Sequence, residues 1–295
     1  MTREHDGVAP GRAGWVWPAL FSLLAFAANS IFCRLALIGG DSDAGSFTAL
    51  RLLSGAGFLL LLLARRRPRQ APGGSWQGGL ALFLYAYLFS IAYVELGAGV
   101  GALILFGAVQ ISMFALARLR GERFEPRVLL GMLVAFAGLV ALLLPGAGSP
   151  SLASALVMLV SGVAWGVYSL IGKGSANPVA DTGGNFLRSL VFVVPLGLFI
   201  LLGSGARLST AGLLYALASG MLASGAGYVV WYGVVKRISA QQAATLQLGV
   251  PIIASLGGVM LLGEPLSLRL VLTSAVVLGG VAVALLPLRR SRPAG

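Results

Sequence analysis

The sequence predicts an all-α integral membrane protein with ten transmembrane helices in two inverted five-helix repeats. Three observations carry that expectation: ten long apolar runs, an internal repeat, and arginines gathered on one side of the implied topology.

The runs come first. With 58% hydrophobic and 10% charged residues and a mean hydropathy of +0.92, the chain is too apolar for a surface solvated by water. A spanning helix needs roughly 20 apolar residues to cross a hydrocarbon core of about 30 Å. Runs of that kind are read at Trp15 to Ile38, Ala44 to Ala64, Gly78 to Val94, Ala98 to Leu116 and Val128 to Leu144, and then at Ala153 to Ile171, Asn185 to Leu202, Ala211 to Val235, Ala240 to Leu262 and Leu270 to Leu288. They are continuously apolar and do not alternate at every second residue, so they read as helices and not as barrel strands.

Drawn as ten spans with both ends on one side, Arg3, Arg12, Arg65, Arg66, Arg67, Arg69, Arg118, Arg120, Arg123, Arg127, Lys173, Lys236, Arg237, Arg289, Arg290 and Arg292 fall together. The opposite side keeps Arg34, Arg51, Arg207 and Arg269. Basic loops stay in the cytoplasm, so both termini are expected there, with the loop holding Asp41 and Asp43 outside. The same reading absorbs the net charge of +12, which in a soluble chain would point to nucleic acid. A single cysteine, Cys33, and a single histidine, His5, leave no disulfide framework and no soft metal cluster, so no cofactor or metal is expected. The first apolar run is of full membrane length and is read as a retained span, not a cleaved signal.

The repeat explains the count of ten. Gly107 and Gly249, Gly121 and Gly263, Glu122 and Glu264, Gly138 and Gly280, and Pro145 and Pro287 are each 142 positions apart. One ungapped alignment joins GERFEPRVLLGMLVAFAGLVALLLP to GEPLSLRLVLTSAVVLGGVAVALLP. Another joins LFSLLAFAANSIFCR to LVSGVAWGVYSLIGK, pairing Ser22 with Ser161, Ser30 with Ser169 and Arg34 with Lys173. The repeats are placed at 15–145 and 151–288, with tails at 1–14 and 289–295. Five spans is an odd number, so the second repeat inserts upside down relative to the first, as in many secondary transporters.

These features resemble the drug/metabolite transporter superfamily, specifically its EamA-type ten-helix exporters. The resemblance rests on Gly121-Glu122 and Gly263-Glu264, on the Gly-bearing fifth and tenth spans ending in Pro145 and Pro287, and on Ala164-Trp165-Gly166. It implies a bacterial inner-membrane exporter of small metabolites that works by alternating access through a central cavity. Within the superfamily the chain is most similar to YddG-type amino acid exporters. The first Gly-Glu is followed by Arg123-Phe124 where the second keeps Pro265, a departure from the usual pattern.

A carrier of this plan holds substrate near the midplane, where neutral polar and aromatic side chains matter. The substrate-binding candidates are Asn29, Tyr85, Gln110, Trp165, Tyr168, Tyr228, Trp231 and Gln247. Trp165 and Tyr168 are three apart, as are Tyr228 and Trp231, so each pair shares a helical face. Pro251 is expected to loosen the ninth helix and free a carbonyl. Trp15, Trp17, Trp76 and Tyr93 read as interface anchors. Arg34, Arg51, Glu95, Lys173 and Arg188 read as span-end residues that snorkel, with Glu95 or Asp181 as candidate gate partners of Arg51 and Arg188. A midplane without fixed charge suits neutral, zwitterionic or amphiphilic solutes, with amino acids and amphiphilic drugs as the lead classes. A multidrug or cation exporter of the same fold is the alternative, and an integral-membrane enzyme or a channel are the other classes. Short loops poor in His, Cys and paired carboxylates weigh against an enzyme. Uniport and proton antiport both stay open, as do uptake and efflux. The expected partners are a small-molecule substrate and the bilayer, with the chain acting as a monomer.

Overall fold

The computed structural model describes residues 14–66, 68, 70–119, 121, 124–146, 149–203, 205–238 and 245–285. The tails, Glu122, Arg123, Pro287 and the expected start of the ninth span at Ala240 lie outside them, and the side chain of Lys173 is likewise undescribed.

Spans one to seven are α1 (Val16–Leu37), α2 (Ala44–Arg65), α3 (Trp76–Ala92), α4 (Ala98–Leu119), α5 (Pro126–Leu143), α6 (Leu152–Lys173) and α7 (Pro178–Leu202). The eighth is composite: α8 (Thr210–Ala218), a π-helical segment (Ser219–Ala226) and α9 (Gly227–Val235). The last two are α10 (Gly249–Leu262) and α11 (Leu268–Leu285). Among the described residues nine helices are long and apolar enough to cross a membrane, and α3 is a shorter apolar helix. The fold is therefore all-helical with the expected span count.

Local chemistry sets the helix starts. Asp43, Ser75, Ser151, Asn177 and Ser209 each accept a backbone N–H of the helix that follows. Pro126 and Pro178 occupy first turns, where a missing N–H costs nothing. The Asn177 cap starts α7 ahead of the expected Asn185, because the polar stretch DTGGN is helical and is buried from Thr182 on. α4 is capped from a distance: Glu264 Oε2 accepts the Ala98 N–H at 2.7 Å. Gly263 closes α10 with φ 65°, a conformation that favours glycine. The ninth span is interrupted by a turn at Leu248, three residues before Pro251, which has no N–H to bond the carbonyl four residues back.

The helices pack in pairs that exchange when five is added to or subtracted from the span number. The fifth lies on the tenth, the fourth on the ninth and the second on the seventh. The third packs on the sixth and seventh as the eighth packs on the first and second. Small residues allow the close approaches: a Cβ on Gly280 would come within 2.6 Å of backbone atoms of Gly131 and Ala135. Large apolar side chains such as Leu130, Phe136, Phe199, Leu202 and Leu272 point outward and stay exposed, as lipid contact requires and water does not tolerate in such quantity.

Hydrogen bonds between loops respect the expected sidedness. At one end Asp43 meets Arg207, Glu95 meets Ser154, and Glu264 meets Arg34 and Ala98. At the arginine-rich end Asp181 accepts the Gly74 N–H and Asn185 the Ser75 N–H.

Candidate functional site

A cavity lies where spans one, three, four, six and eight converge. Phe26, Asn29, Tyr85, Phe89, Leu105, Phe106, Trp165 and Tyr228 line it, around an empty volume of about 270 Å³. The side chains close it so far that space remains for about one water. Its walls are rings in contact: Tyr85 and Trp165 have centroids 4.6 Å apart, Trp165 and Tyr228 5.0 Å, and Phe26 and Tyr228 5.9 Å. Such pairs hold their geometry through edge and offset contacts between ring quadrupoles.

Four of the eight sequence candidates, Asn29, Tyr85, Trp165 and Tyr228, meet in this lining. Tyr168 and Trp231 stand one contact away, Tyr168 at 5.4 Å from Trp165 and Trp231 at 5.7 Å from Phe26. Gln110 is buried in α4 and Gln247 half-buried near Leu248, and neither lines the cavity. Two expectations made alongside them are corrected. Tyr93 is wholly buried against Phe89 at 4.6 Å with its hydroxyl donating to the Ala98 carbonyl, so it is not an interface anchor. The midplane is not free of charge, because Arg51 is 1% exposed among the core helices.

Arg51 is the residue the sequence reading missed. Placed eighth in α2, it turns inward: Nη2 donates to Tyr85 Oη at 3.2 Å and Nε to Ser224 Oγ at 3.3 Å. Its guanidinium carbon lies 5.2 Å from the ring centres of both Tyr85 and Phe89. Asn29 joins the same network, donating to Tyr85 Oη at 3.1 Å and accepting from the Ser219 hydroxyl. Ser219 and Ser224 are five apart in the π segment, a spacing that a π-helix brings toward one face. Gly220 lets that segment lie against α2, where a Cβ would collide with Ser54 Oγ and the Arg51 carbonyl.

Neither proposed gate partner reaches Arg51. Glu95 accepts the Ser154 hydroxyl at 2.6 Å, and Asp181 is taken by Gly74 N–H and the Ser175 hydroxyl. Arg188 donates to the Gly73 and Gly184 carbonyls and sits over Trp76. Arg34 pairs with Glu264 at 3.3 Å. Among the described residues no carboxylate pairs with Arg51.

Phe26, Phe89, Leu105 and Phe106 were also missed, since apolar residues in apolar spans carry no signal of their own. Phe26 had one, because it faces Trp165 in the repeat alignment. A second, larger cavity of about 530 Å³ empty volume opens at the arginine-rich end, with Arg66, Asn177, Tyr232 and Lys236 among its walls. Tyr232 is one helical turn along from Tyr228.

Comparison with known proteins fixes the family. The model of the EamA-like transporter family matches residues 152–286. An uncharacterized protein of Pseudomonas aeruginosa is 53% identical over 91% of this chain and 93% of its own length. The chain belongs to the EamA-like transporter family. It is thus a multi-pass membrane transporter of the drug/metabolite transporter superfamily. More distant EamA-type relatives include an uncharacterized transporter of Archaeoglobus fulgidus, 27% identical over 76% of this chain and 81% of that one. The uncharacterized transporter YwfM of Bacillus subtilis is 28% identical over 81% and 83%. A crystal structure covering 95% of this chain and all of its own superposes with a TM-score of 0.65 at 22% identity, a likeness of fold.

Proposed function

We propose that this protein exports small amphiphilic metabolites, amino acids first among them, across the bacterial inner membrane by alternating access. In this reading repeats 15–145 and 151–288 rock against each other around the central cavity, with both termini in the cytoplasm and each monomer holding its own pathway. The observation that carries it is the ring-walled cavity, lined from both repeats and closed to about one water at the centre of an exchange-symmetric helix bundle. Such a closed centre suits a carrier that isolates its cargo, whereas a channel needs a continuous wet path. Aromatic faces suit apolar side chains, and Asn29, Tyr85 and Arg51 add polar groups beside them. A buried guanidinium also disfavours cationic drugs as cargo, since like charges repel strongly in a medium of low dielectric. The wider cavity at the arginine-rich end supplies a cytoplasmic mouth one turn from the centre.

The test is flux into proteoliposomes of labelled amino acids, nucleosides and lipophilic cations, with and without an imposed pH gradient. Saturable amino acid flux is expected. Dependence on the gradient separates proton antiport from uniport, and flux of lipophilic cations alone would replace amino acids with the multidrug reading.

A further inference from the structure

We propose, taking the export reading above as given, that Arg51 is the cargo's anion-binding residue and that the transported solutes carry a carboxylate. The guanidinium is held 1% exposed with no carboxylate partner among the described residues. Its Nη1 is buried and has no hydrogen-bond partner among the described residues, while Nε and Nη2 are met by neutral hydroxyls of Ser224 and Tyr85. A buried cation is ordinarily paired with an anion, so this one is left a charge short of neutrality.

Geometry puts that deficit beside the cavity. Arg51 contacts two of the lining residues, Tyr85 and Phe89, through their ring faces. Tyr228, on the facing repeat, also ends in a buried hydroxyl without a well-directed partner, close to both Tyr85 and Arg51. A carboxylate entering between Tyr85 and Tyr228 would accept from Nη1 and from the Tyr228 hydroxyl, satisfying two orphan donors together. The cargo's apolar part would then lie against Trp165 and Phe26.

The assignment also accounts for the π segment, whose extra residue per turn brings Ser224 to Nε and Ser219 to Asn29. Both contacts fix the guanidinium and its neighbours with neutral groups and leave one edge free.

The experiment compares acids with their amides. Ligand-induced thermal stabilisation of detergent-solubilised protein is measured with L-phenylalanine, L-leucine and the corresponding amides, beside counterflow of the two labelled amino acids in proteoliposomes. The wild type is expected to respond to each acid at least tenfold more tightly than to its amide. Arg51→Gln is expected to lose counterflow at least tenfold and to bind acid and amide alike, and Arg51→Lys to recover part of the preference. If Arg51→Gln only lowers the melting temperature and keeps the acid preference, Arg51 is a helix brace and the proposal falls. It falls equally if the wild type binds acid and amide alike. Should Arg51→Gln fail to elute as a folded species, the acid-to-amide ratios of wild type and Arg51→Lys decide: a ratio in the lysine variant equal to that of the wild type means that the acid does not meet the guanidinium, and the proposal falls. Acid-selective binding without any counterflow would instead break the export reading and leave Arg51 as an anion site.

Discussion

Arg51, the eighth residue of α2, and Arg188, the eleventh of α7, sit in corresponding helices of the two halves, yet their surroundings differ. Arg188 is half-buried at the arginine-rich end and spends its Nη1 on the Gly73 and Gly184 carbonyls, with Trp76 beneath it. Arg51 is buried at the core, keeps company with hydroxyls and rings, and leaves one nitrogen unpartnered. Backbone carbonyls are fixed partners that satisfy a cation for good. Hydroxyls are weaker, neutral partners, and here they leave one nitrogen open to an entering anion. Repetition of the fold thus placed two similar residues in one bundle, and the local partners made one a brace and the other a binding group.

The sharpest way to break this comparison is to neutralise both. Arg188→Gln is expected to leave the acid-over-amide preference intact while losing about 1–3 kcal/mol of stability through its orphaned carbonyls. Arg51→Gln is expected to erase the preference with at least a tenfold loss of counterflow. Equal effects of the two substitutions on acid preference would end the distinction.

The halves also differ in what they bring to the cavity. The first supplies the cation, the amide and four of the lining rings, with Arg51, Asn29, Phe26, Tyr85, Phe89 and Phe106, and the second supplies Trp165 and Tyr228, backed by Tyr168 and Trp231. Trp165 touches Phe26, Tyr85, Tyr168 and Tyr228, so it joins both halves. Trp165→Ala is expected to cost about 3–5 kcal/mol in thermal or denaturant unfolding and to stop transport. Trp165→Phe, which keeps a ring, should retain most of both. Transport that survives Trp165→Ala at wild-type rate would place the pathway elsewhere.

At the end opposite the arginines, Glu264 ties the halves together by pairing with Arg34 and capping α4. Both side chains are mostly shielded, at 13% and 17% exposure, so the pair is screened less than a surface one. Glu264→Gln is expected to cost about 1–3 kcal/mol. The amide oxygen still accepts the Ala98 N–H, so a loss near zero would mean that the cap alone matters.

Much of this architecture could be read from the chain, and the reasons are physical. Lipid demands long apolar helices, so the spans are written in hydropathy. The internal repeat was legible as like residues set 142 positions apart. The aromatic candidates were legible because rings and amides are conspicuous in a run of Leu, Val and Ala. Arg51 was not. Its position near a span end invited a snorkelling reading, whereas the direction of its side chain follows its hydrogen bonds to Ser224 and Tyr85, partners that arise from other spans. The π segment was equally hidden, since its serines and glycines also fit an ordinary tight helix interface. Gln110 and Gln247 misled for the converse reason: a polar side chain inside a span must be accommodated, but a neighbouring helix can do so as well as a cavity.

The smallest effect expected concerns Asp43, at the rim opposite the arginine-rich end. Asp43 caps α2 by accepting the Ser46 N–H at 2.7 Å and reaches across to the Arg207 N–H at 2.8 Å, joining the α1–α2 loop to the segment before α8. Burial pushes its carboxyl up, but the hydrogen bonds from Ser46 and Arg207 outweigh that and hold it below the usual carboxylate range. A group whose folded value is depressed contributes stability above its unfolded value, about 3.9, and that contribution is lost as pH falls through the folded value. Asn at this position still caps a helix but cannot titrate. Wild type should therefore melt above Asp43→Asn at pH 6, with the gap closing as the pH is lowered below about 4. A gap that persisted unchanged from pH 6 to pH 3 would mean that the carboxylate's charge contributes nothing, and that the rim is held by the shape of the cap alone.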